Sequence, residues 1–324
     1  MREITFADAV GEALAEEMER DPTIFTYGQG LVKVGGIFGA YKALLGKFPG
    51  RVIDTPISEE VIYGSTVGAA LVGMRPVAEF MFADFLFVGF QSVALQIQKI
   101  RYMSGGQGKL RLVLRGADGV GSSLAAQHSE SIETILMNIP GIKVIIPCTP
   151  YDMKGLMKTA LRSDDPVICF EHKMLYKMKG FVPEEEYLIP FGVADIKRRG
   201  NDATVVTMSR MVHESLKAAG ELENQGISVE VIDLRTLVPW DRKTVFESVK
   251  KTGHLVIAHE TWKRAGWGAE IASVVQEKLF DDLDAPILRV GGKNVPMPFS
   301  PSLQEYVTPH YDDVVSAVKK VLSK

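Results

Sequence analysis

Hydrophobic residues follow two alternating patterns along the chain. Short apolar runs rich in Val, Ile and Phe are typical of strands, and several of them, such as KVIIP and PVICF, are apolar at consecutive positions. Consecutive apolar positions predict strands that are covered on both faces. Segments with the 3.6-residue period of helices lie between these runs. The pattern therefore predicts an α/β fold with doubly wound, mainly parallel sheets.

A polar stretch interrupts this alternation once. The segment 181–200 contains Pro183 followed by three consecutive glutamates, which indicates a linker. Strand-like and helix-like runs resume beyond it. We therefore expect a first domain over residues 1–180, a linker over 181–200 and a second, smaller α/β domain over 201–324. A chain of 324 residues exceeds the usual size of a single core, which agrees with two domains.

The composition is that of an ordinary soluble globular protein, with 46% hydrophobic and 24% charged residues. A net charge of −3 gives no electrostatic reason to expect nucleic acid or an anionic membrane as partner. Every apolar run is shorter than the roughly 18 residues of a membrane span, and no signal-peptide pattern is present, so the expected location is the cytoplasm. Cys148 and Cys169 lie in apolar strand-like runs, which indicates buried reduced thiols.

Several common site motifs are absent from the sequence. It contains no G-x-x-x-x-G-K-[ST] phosphate loop, no G-x-G-x-x-G after a strand, no G-x-S-x-G elbow and no Cys/His cluster with zinc spacing. The chain has the α/β pattern of a cofactor enzyme but lacks a motif that would hold the cofactor's phosphates.

A pair of acids, Glu59 and Glu60, follows a proline turn and begins a helix rich in glycine and alanine. One explanation is helix stability, because acids in the first turn face the positive end of the dipole and Ser58 can act as the N-cap. The other is a site, because a glycine-rich helix loses propensity but lets another backbone or a ligand come close. The residues alone leave both explanations open.

Two further segments carry candidate chemistry. The glycine-rich segment 116–129 follows a strand and presents His128 where ligands gather in open α/β sheets, which suits proton transfer. The alternative is that His128 caps a helix beginning near Ser129. The segment 79–87 carries Met81 and Phe85, which form either ordinary core or an apolar slot for a flat heteroaromatic ring.

Eight segments, in order and spacing, resemble the β subunit of the thiamine-diphosphate-dependent E1 component of 2-oxo acid dehydrogenase complexes, of the pyruvate, branched-chain or acetoin type. The segments are DTPISE (54–59), EFMFADF (79–85), RYMSGG (101–106), AAQHS (125–129), PGIKVIIP (140–147), EHKMLY (171–176), VIDLRTLVPWD (231–241) and PFSPSLQEYVTP (298–309). The resemblance covers essentially the whole chain.

The resemblance implies an oxidoreductase subunit that decarboxylates a 2-oxo acid, or cleaves acetoin, and transfers the acyl group to the lipoyl arm of the E2 acyltransferase. It implies a transketolase-like pyrimidine-binding domain followed by a transketolase C-terminal domain. It also implies an α₂β₂ heterotetramer with thiamine diphosphate at the α–β interface. The α subunit would hold Mg²⁺ and the diphosphate, which accounts for the missing phosphate motif. Neither nucleic acid nor a membrane is an expected partner.

The resemblance also implies roles for individual residues. Glu59 would hydrogen-bond the ring nitrogen of the aminopyrimidine and promote its imino tautomer, with Gly64 at the family's spacing. Phe85 would pack on the ring, Met81 would line the same slot, and His128 would lie near the reacting carbon. Some members have a structural potassium site. Its ligands would come from Leu112, Ala160, Leu161, Ser163 and Asp165.

Three changes, at four positions, depart from the family pattern. Gln29 stands where an acid is usual, Gln91 and Ser92 replace an Asp-Gln pair, and Glu130 replaces a glutamine. The departures leave two alternatives, an active subunit or a scaffold subunit that has lost catalysis and docks E2. The retained residues with implied roles favour the enzyme. A self-contained transketolase-like enzyme is excluded by the absent diphosphate motif, and the choice among pyruvate, branched 2-oxo acids and acetoin stays open.

Overall fold

The structure, a computed structural model, describes residues 1–323 and divides into two compact α/β units. The first unit comprises Met1–Asp118 and Ile135–Phe191, and the second comprises Gly119–Thr134 and the chain from Gly192 onward. The predicted α/β fold class is confirmed. Within the described residues, no helix combines the length and apolar character needed to cross a membrane.

Strands of the first unit form a parallel sheet in the order β6-β7-β5-β4-β2-β3, and β1 pairs separately with β8 in antiparallel fashion. The strands are β1 (Arg2–Thr5), β2 (Ile24–Gly28), β3 (Val52–Asp54), β4 (Arg75–Phe82), β5 (Val113–Asp118), β6 (Lys143–Ile145), β7 (Val167–His172) and β8 (Lys179–Val182). The helices up to this point in the chain are α1 (Phe6–Arg20), α2 (Leu31–Val34), α3 (Glu59–Leu71), α4 (Ile100–Met103), α5 (Glu133–Asn138) and α6 (Pro150–Arg162).

The central strands of this sheet are covered on both faces. Every residue of β5 and of β7 is buried, as the runs of consecutive apolar residues predict. Short irregular helices connect the elements. They are the 3₁₀ segments Lys42–Leu44, Ala83–Phe87 and Lys173–Leu175 and the π-helical segment Ser92–Ile97. Cys148 and Cys169 are both buried in this unit.

The second unit is built on a sheet in the order β14-β13-β10-β11-β9, parallel except for β9. The strands of this sheet are β9 (Asp195–Arg198), β10 (Ala203–Thr207), β11 (Val229–Asp233), β13 (Leu255–Trp262) and β14 (Leu288–Gly292), and the short strand β12 (Thr236–Val238) lies outside it. Its helices are α7 (Arg210–Glu223), α8 (Arg242–Thr252), α9 (Trp267–Leu279), α10 (Pro301–Val307) and α11 (Tyr311–Leu322), and a 3₁₀ turn covers Phe280–Asp282. The segment 181–200, expected to be a linker, includes the end of β8 and all of β9.

One face of this second sheet is packed by α7 and α11. The core between them contains Val205, Val231, Val256, Val314 and Val318, all fully buried. Burying branched aliphatic side chains of this kind contributes about 1.5–3 kcal/mol each. The second unit therefore has a hydrophobic core of its own.

Candidate active site

The carboxyl ends of parallel strands of the first unit meet at one edge of the sheet. Gly28, the last residue of β2, pairs with Asp54, the last residue of β3, and β4 runs parallel to β2 on its other side. The residues that follow these strands are Gln29, the segment leading to Glu59, and the 3₁₀ segment Ala83–Phe87. This is the edge where ligands bind in open α/β sheets.

Glu59 and Glu60 have different environments, although they are neighbours in the sequence. Glu59 is the first residue of α3 and is 8% exposed, and its Oε1 accepts a hydrogen bond of 3.3 Å from Gln29 Nε2. Among residues 1–323, its Oε2 makes no hydrogen bond, which leaves this oxygen available to a ligand. Glu60 is exposed and accepts a 2.5 Å hydrogen bond from Ser92 Oγ. Ser58 occupies the N-cap position but makes no side-chain capping bond.

The segment that carries Phe85 packs against the first turns of α3. The Tyr63 hydroxyl donates to the Phe85 carbonyl oxygen at 3.4 Å. A Cβ on Gly89 would lie 2.4 Å from the Tyr63 ring and 3.0 Å from the Glu59 carbonyl oxygen, so only glycine allows this close approach. Phe85 is half-buried and meets Phe82 edge to face, with 5.7 Å between ring centroids.

Met81 is a half-buried residue of β4, one position before its last residue. It lies on the same strand that leads into the Phe85 segment. The acid at the start of α3 and an apolar strand end are therefore both present at the carboxyl edge of one sheet. These residue types fit the aminopyrimidine end of thiamine diphosphate, which has a ring nitrogen for an acid and flat faces for apolar side chains.

A buried charged cluster lies behind this edge, and the sequence analysis missed it. Arg115 is fully buried, and it donates to Glu171 Oε1 at 2.6 Å, to Glu79 Oε1 at 2.7 Å and to the Tyr41 hydroxyl at 2.9 Å. Its Nη2 also bonds Glu171 Oε2, and the Tyr176 hydroxyl donates to the same oxygen at 2.9 Å. The sequence did contain a signal for this cluster, because β4, β5 and β7 each include one of its charged residues, Glu79, Arg115 and Glu171, within an otherwise apolar run.

Glu79 connects this cluster to the edge that carries Gln29. A Cβ on Gly28 would lie 2.9 Å from Glu79 Cβ, so the backbone just before Gln29 rests directly on this acid. Burial raises the pKa of Glu79 to about 7, with Arg115 opposing the shift and Glu171 adding to it. Two carboxylates thus share one guanidinium, and the raised pKa lets Glu79 take up a proton near neutral pH.

His128 belongs to the second compact unit, on the segment Gly119–Thr134. The helix that follows begins at Glu133, five positions after His128, so His128 is not its N-cap. Backbone φ angles of 59°, 52° and 59° place Ser122, Ser123 and Ala125 in the left-handed region. Non-glycine residues rarely adopt this conformation unless the surrounding structure holds them. The half-buried His128 therefore lies on a constrained loop rather than at a helix terminus.

The oxygens expected to bind potassium are already engaged by protein donors. Arg75 Nη1 donates to the carbonyl oxygens of Leu161 and Ser163 at 3.0 and 3.1 Å, and Asp165 is paired with Arg101 and Lys143. The remaining two carbonyls, of Leu112 and Ala160, accept backbone N–H groups at 3.1 Å. A guanidinium cannot share two carbonyl oxygens with a second cation at this distance. The potassium site therefore stays a prediction, and it requires Arg75 to leave the carbonyl oxygens of Leu161 and Ser163.

Two of the three departures from the family pattern hydrogen-bond the acid pair. Gln29 bonds Glu59, and Ser92 bonds Glu60. The backbone oxygen of Glu130, the third, accepts the Gly119 N–H at 3.3 Å. At positions 29 and 92, where this chain departs from the family pattern, it therefore has uncharged residues that hydrogen-bond Glu59 and Glu60.

The two domains and their order are those of transketolase-type proteins. The "Transketolase, pyrimidine binding domain" family matches residues 2–179, and the "Transketolase, C-terminal domain" family matches residues 192–314. A solved structure of a split-gene transketolase, described as an inactive β4 tetramer, superposes with a TM-score of 0.81 at 27% identity, covering 99% of this chain and 98% of that chain.

Curated relatives specify the group further. The chain is 42% identical to the 2-oxoisovalerate dehydrogenase subunit beta of Bacillus subtilis, over 99% of both chains. It is 47% identical to the pyruvate dehydrogenase E1 component subunit beta of Rickettsia felis, over 98% of both. It is 42% identical to the acetoin:2,6-dichlorophenolindophenol oxidoreductase subunit beta of Cupriavidus necator, over 99% of this chain and 98% of that relative. The chain belongs to the transketolase-type family, in the group of dehydrogenase E1 β subunits.

Proposed function

We propose that this chain is the β subunit of a thiamine-diphosphate-dependent 2-oxo acid or acetoin dehydrogenase E1, acting in the cytoplasm. The observation that carries the proposal is Glu59, a buried acid at the start of α3 with one oxygen held by Gln29 and the other available to a ligand. Full-length identity of 42–47% to three E1 β subunits supports it. The chain supplies one half of an active site.

The chemistry that the bound cofactor supplies is a nucleophilic carbon that attacks the oxo group of the substrate. Glu59 holds a proton at the aminopyrimidine ring nitrogen and exchanges it there as a general acid. Phe85 and Met81 offer apolar surface to the ring. His128 moves a proton at the reacting substrate, a role suited to imidazole near neutral pH.

The diphosphate and Mg²⁺ are assigned to an α subunit, because this sequence lacks a phosphate motif. The surface of α3 supports a partner chain. Ile57, Val61 and Val72 are 79%, 64% and 80% exposed, and a Cβ on Gly68 would meet no atom within 4 Å. Exposed apolar side chains beside open glycines are typical of interfaces where helices of two chains approach closely. The proposed assembly is an α₂β₂ heterotetramer that passes the acyl group to a lipoyl-bearing E2.

The test is turnover of the co-expressed α and β chains with three substrates, pyruvate, 2-oxoisovalerate and acetoin. Glu59→Gln should lower turnover by roughly 10²–10⁴-fold, because an amide cannot exchange the proton. Glu60→Gln is the matched control, since Glu60 is exposed and bonds only Ser92 among the described residues, and it should retain near-normal turnover.

The scaffold alternative gives a different result. If the unaltered heterotetramer converts none of the three substrates yet assembles and binds E2, the chain is a scaffold. Equal losses from Glu59→Gln and Glu60→Gln would instead contradict the assignment of the acid while leaving the enzyme class intact.

A further inference from the structure

The loop that carries His128 is tied to the second unit at both of its ends. Glu260 Oε1, in the second half of β13, accepts the Val120 N–H at 2.7 Å near the start of the loop. Thr261 Oγ1, the next residue of β13, donates to the Ser131 carbonyl oxygen at 2.8 Å near its end. Two neighbouring residues of one strand therefore hold the two ends of this loop.

The start of α9 adds a second pair of contacts. The Trp267 backbone N–H donates to Thr134 Oγ1, and its indole N–H donates to Glu133 Oε1, both at 3.1 Å. The loop is also closed on itself, because the Gly119 N–H donates to the Glu130 carbonyl oxygen. His128 lies two residues before this closure, so its position depends on how firmly the closure is held.

Glu260 differs from the other residues that hold the loop, because its side chain is a carboxylate and is held in place by an ion pair of its own. Its side chain is 8% exposed, and its Oε2 accepts a 2.6 Å ion-paired hydrogen bond from Arg210 Nε. Arg210 in turn bonds Glu214 at 2.9 Å and the Pro309 carbonyl oxygen at 2.8 Å. The acceptor that holds Val120 is therefore braced from α7 and from the segment before α11.

We infer that Glu260 is a positioning residue for the His128 loop, which it holds through Val120 while Arg210 fixes the carboxylate. The strained residues Ser122, Ser123 and Ala125 agree with this role, since left-handed non-glycine residues persist only where surrounding contacts enforce them. The catalytic consequence rests on the proposed function of His128. The structural consequence, an ordered loop, does not.

The experiment measures amide hydrogen exchange over residues 119–131 in the full-length chain, and turnover in the α–β complex. Glu260→Ala removes the charged acceptor and should raise exchange at Val120 by about 10- to 100-fold, as expected for a charge-assisted hydrogen bond. Glu260→Gln keeps an acceptor oxygen for Val120 and should recover most of the protection. In the complex, Glu260→Ala should lower kcat with the cofactor Kd unchanged, and Glu260→Gln should restore part of it.

Glu214→Gln is the matched control, because it removes an acid from the same Arg210. Within the described part of the chain, the other hydrogen bond of Glu214 is to the Tyr311 N–H, outside the loop. Its loop exchange should equal that of the unaltered chain. Unchanged exchange in Glu260→Ala, or an equal rise in Glu214→Gln, would overturn the inference. If Glu260→Ala does not fold, two other variants test the positioning role. Normal loop exchange in Glu260→Gln together with faster loop exchange in Arg210→Met supports it. Identical loop exchange in Glu260→Gln, Arg210→Met and the unaltered chain overturns it.

Comparing His128→Ala with Glu260→Ala distinguishes failure of the positioning role of Glu260 from failure of the catalytic role of His128. If His128→Ala leaves turnover unchanged, the catalytic role of His128 fails. A rise in loop exchange in Glu260→Ala would still establish the anchor in that case. Conversely, loss of turnover in His128→Ala with no exchange response in Glu260→Ala keeps the enzyme and removes the anchor.

Discussion

Arg115 offers a direct test of how the first unit is stabilised behind the candidate site. Its guanidinium is fully buried and is the shared partner of two carboxylates, those of Glu79 and Glu171. Arg115→Met keeps a long apolar stem but removes the charge and its hydrogen bonds. Both carboxylates would then be left without a cation in a buried environment.

The expected loss is large. Breaking a buried ion pair by removing one partner costs about 3–5 kcal/mol, because the remaining charge stays buried and unpaired. Glu79 moderates the loss, because Arg115 holds its pKa down to about 7 and removal of the guanidinium raises that pKa further, so the carboxyl becomes neutral more readily. We therefore expect about 3–5 kcal/mol at pH 8 and a smaller loss at pH 6, where Glu79 is already largely neutral in the unaltered chain. At pH 8 this corresponds to a fall in Tm of roughly 10 °C for a domain of this size.

The assay is thermal and urea unfolding followed by circular dichroism, with Arg2→Met as the control. Arg2 also pairs with a carboxylate, Glu12, but its side chain is 43% exposed, so its loss should cost no more than about 1 kcal/mol. Adding Glu79→Gln to Arg115→Met should recover part of the stability by removing one stranded charge. A loss from Arg115→Met no larger than that from Arg2→Met at pH 8 would show that the buried guanidinium does not stabilise this unit.

Two further outcomes follow from other buried groups. Replacing sodium by potassium should change the Tm of the unaltered chain by less than about 1 °C, because Arg75 occupies the carbonyl oxygens of Leu161 and Ser163. In Arg75→Gln, where these oxygens are released, potassium should bind the folded state and raise the Tm. A potassium-specific rise of several degrees in the unaltered chain would contradict this prediction. Burial, with Glu260 nearby, raises the pKa of Glu133 to about 7, so its contribution to stability is complete below about pH 4.5 and is lost as pH rises through 7. When the pH is raised from 5 to 8, the free energy of unfolding of Glu133→Gln should therefore increase by roughly 2–3 kcal/mol relative to that of the unaltered chain, as measured by urea titration. An equal difference between the two proteins at pH 5 and at pH 8 would count against this prediction.

The sequence was sufficient for the fold class and for the position of Glu59. Runs of apolar residues predicted strands such as β5 and β7, because strands that are covered on both faces are mostly apolar; each of these two also carries a buried charged residue, Arg115 and Glu171. The residue pattern located the acid pair, whereas only the family resemblance assigned the cofactor role to Glu59 and not to Glu60. Successive residues of a helix point about 100° apart, so the packing of α3 against residues 85–92 decides that Glu59 is buried and Glu60 exposed.

Tertiary structure alone decided the Arg115 cluster and the attachment of the His128 loop. Arg115 meets acids that are 36 and 56 residues away, and Val120 meets Glu260 across 140 residues. Periodicity reports how deeply each element is buried, but it carries no information on which distant polar groups pair. In a buried environment an unpaired charge or N–H group is costly, so pairing between distant strands determines where these groups lie. The hydrogen bonds that join Val120 and Ser131 to β13 are pairs of this kind, and only the folded chain brings their partners together.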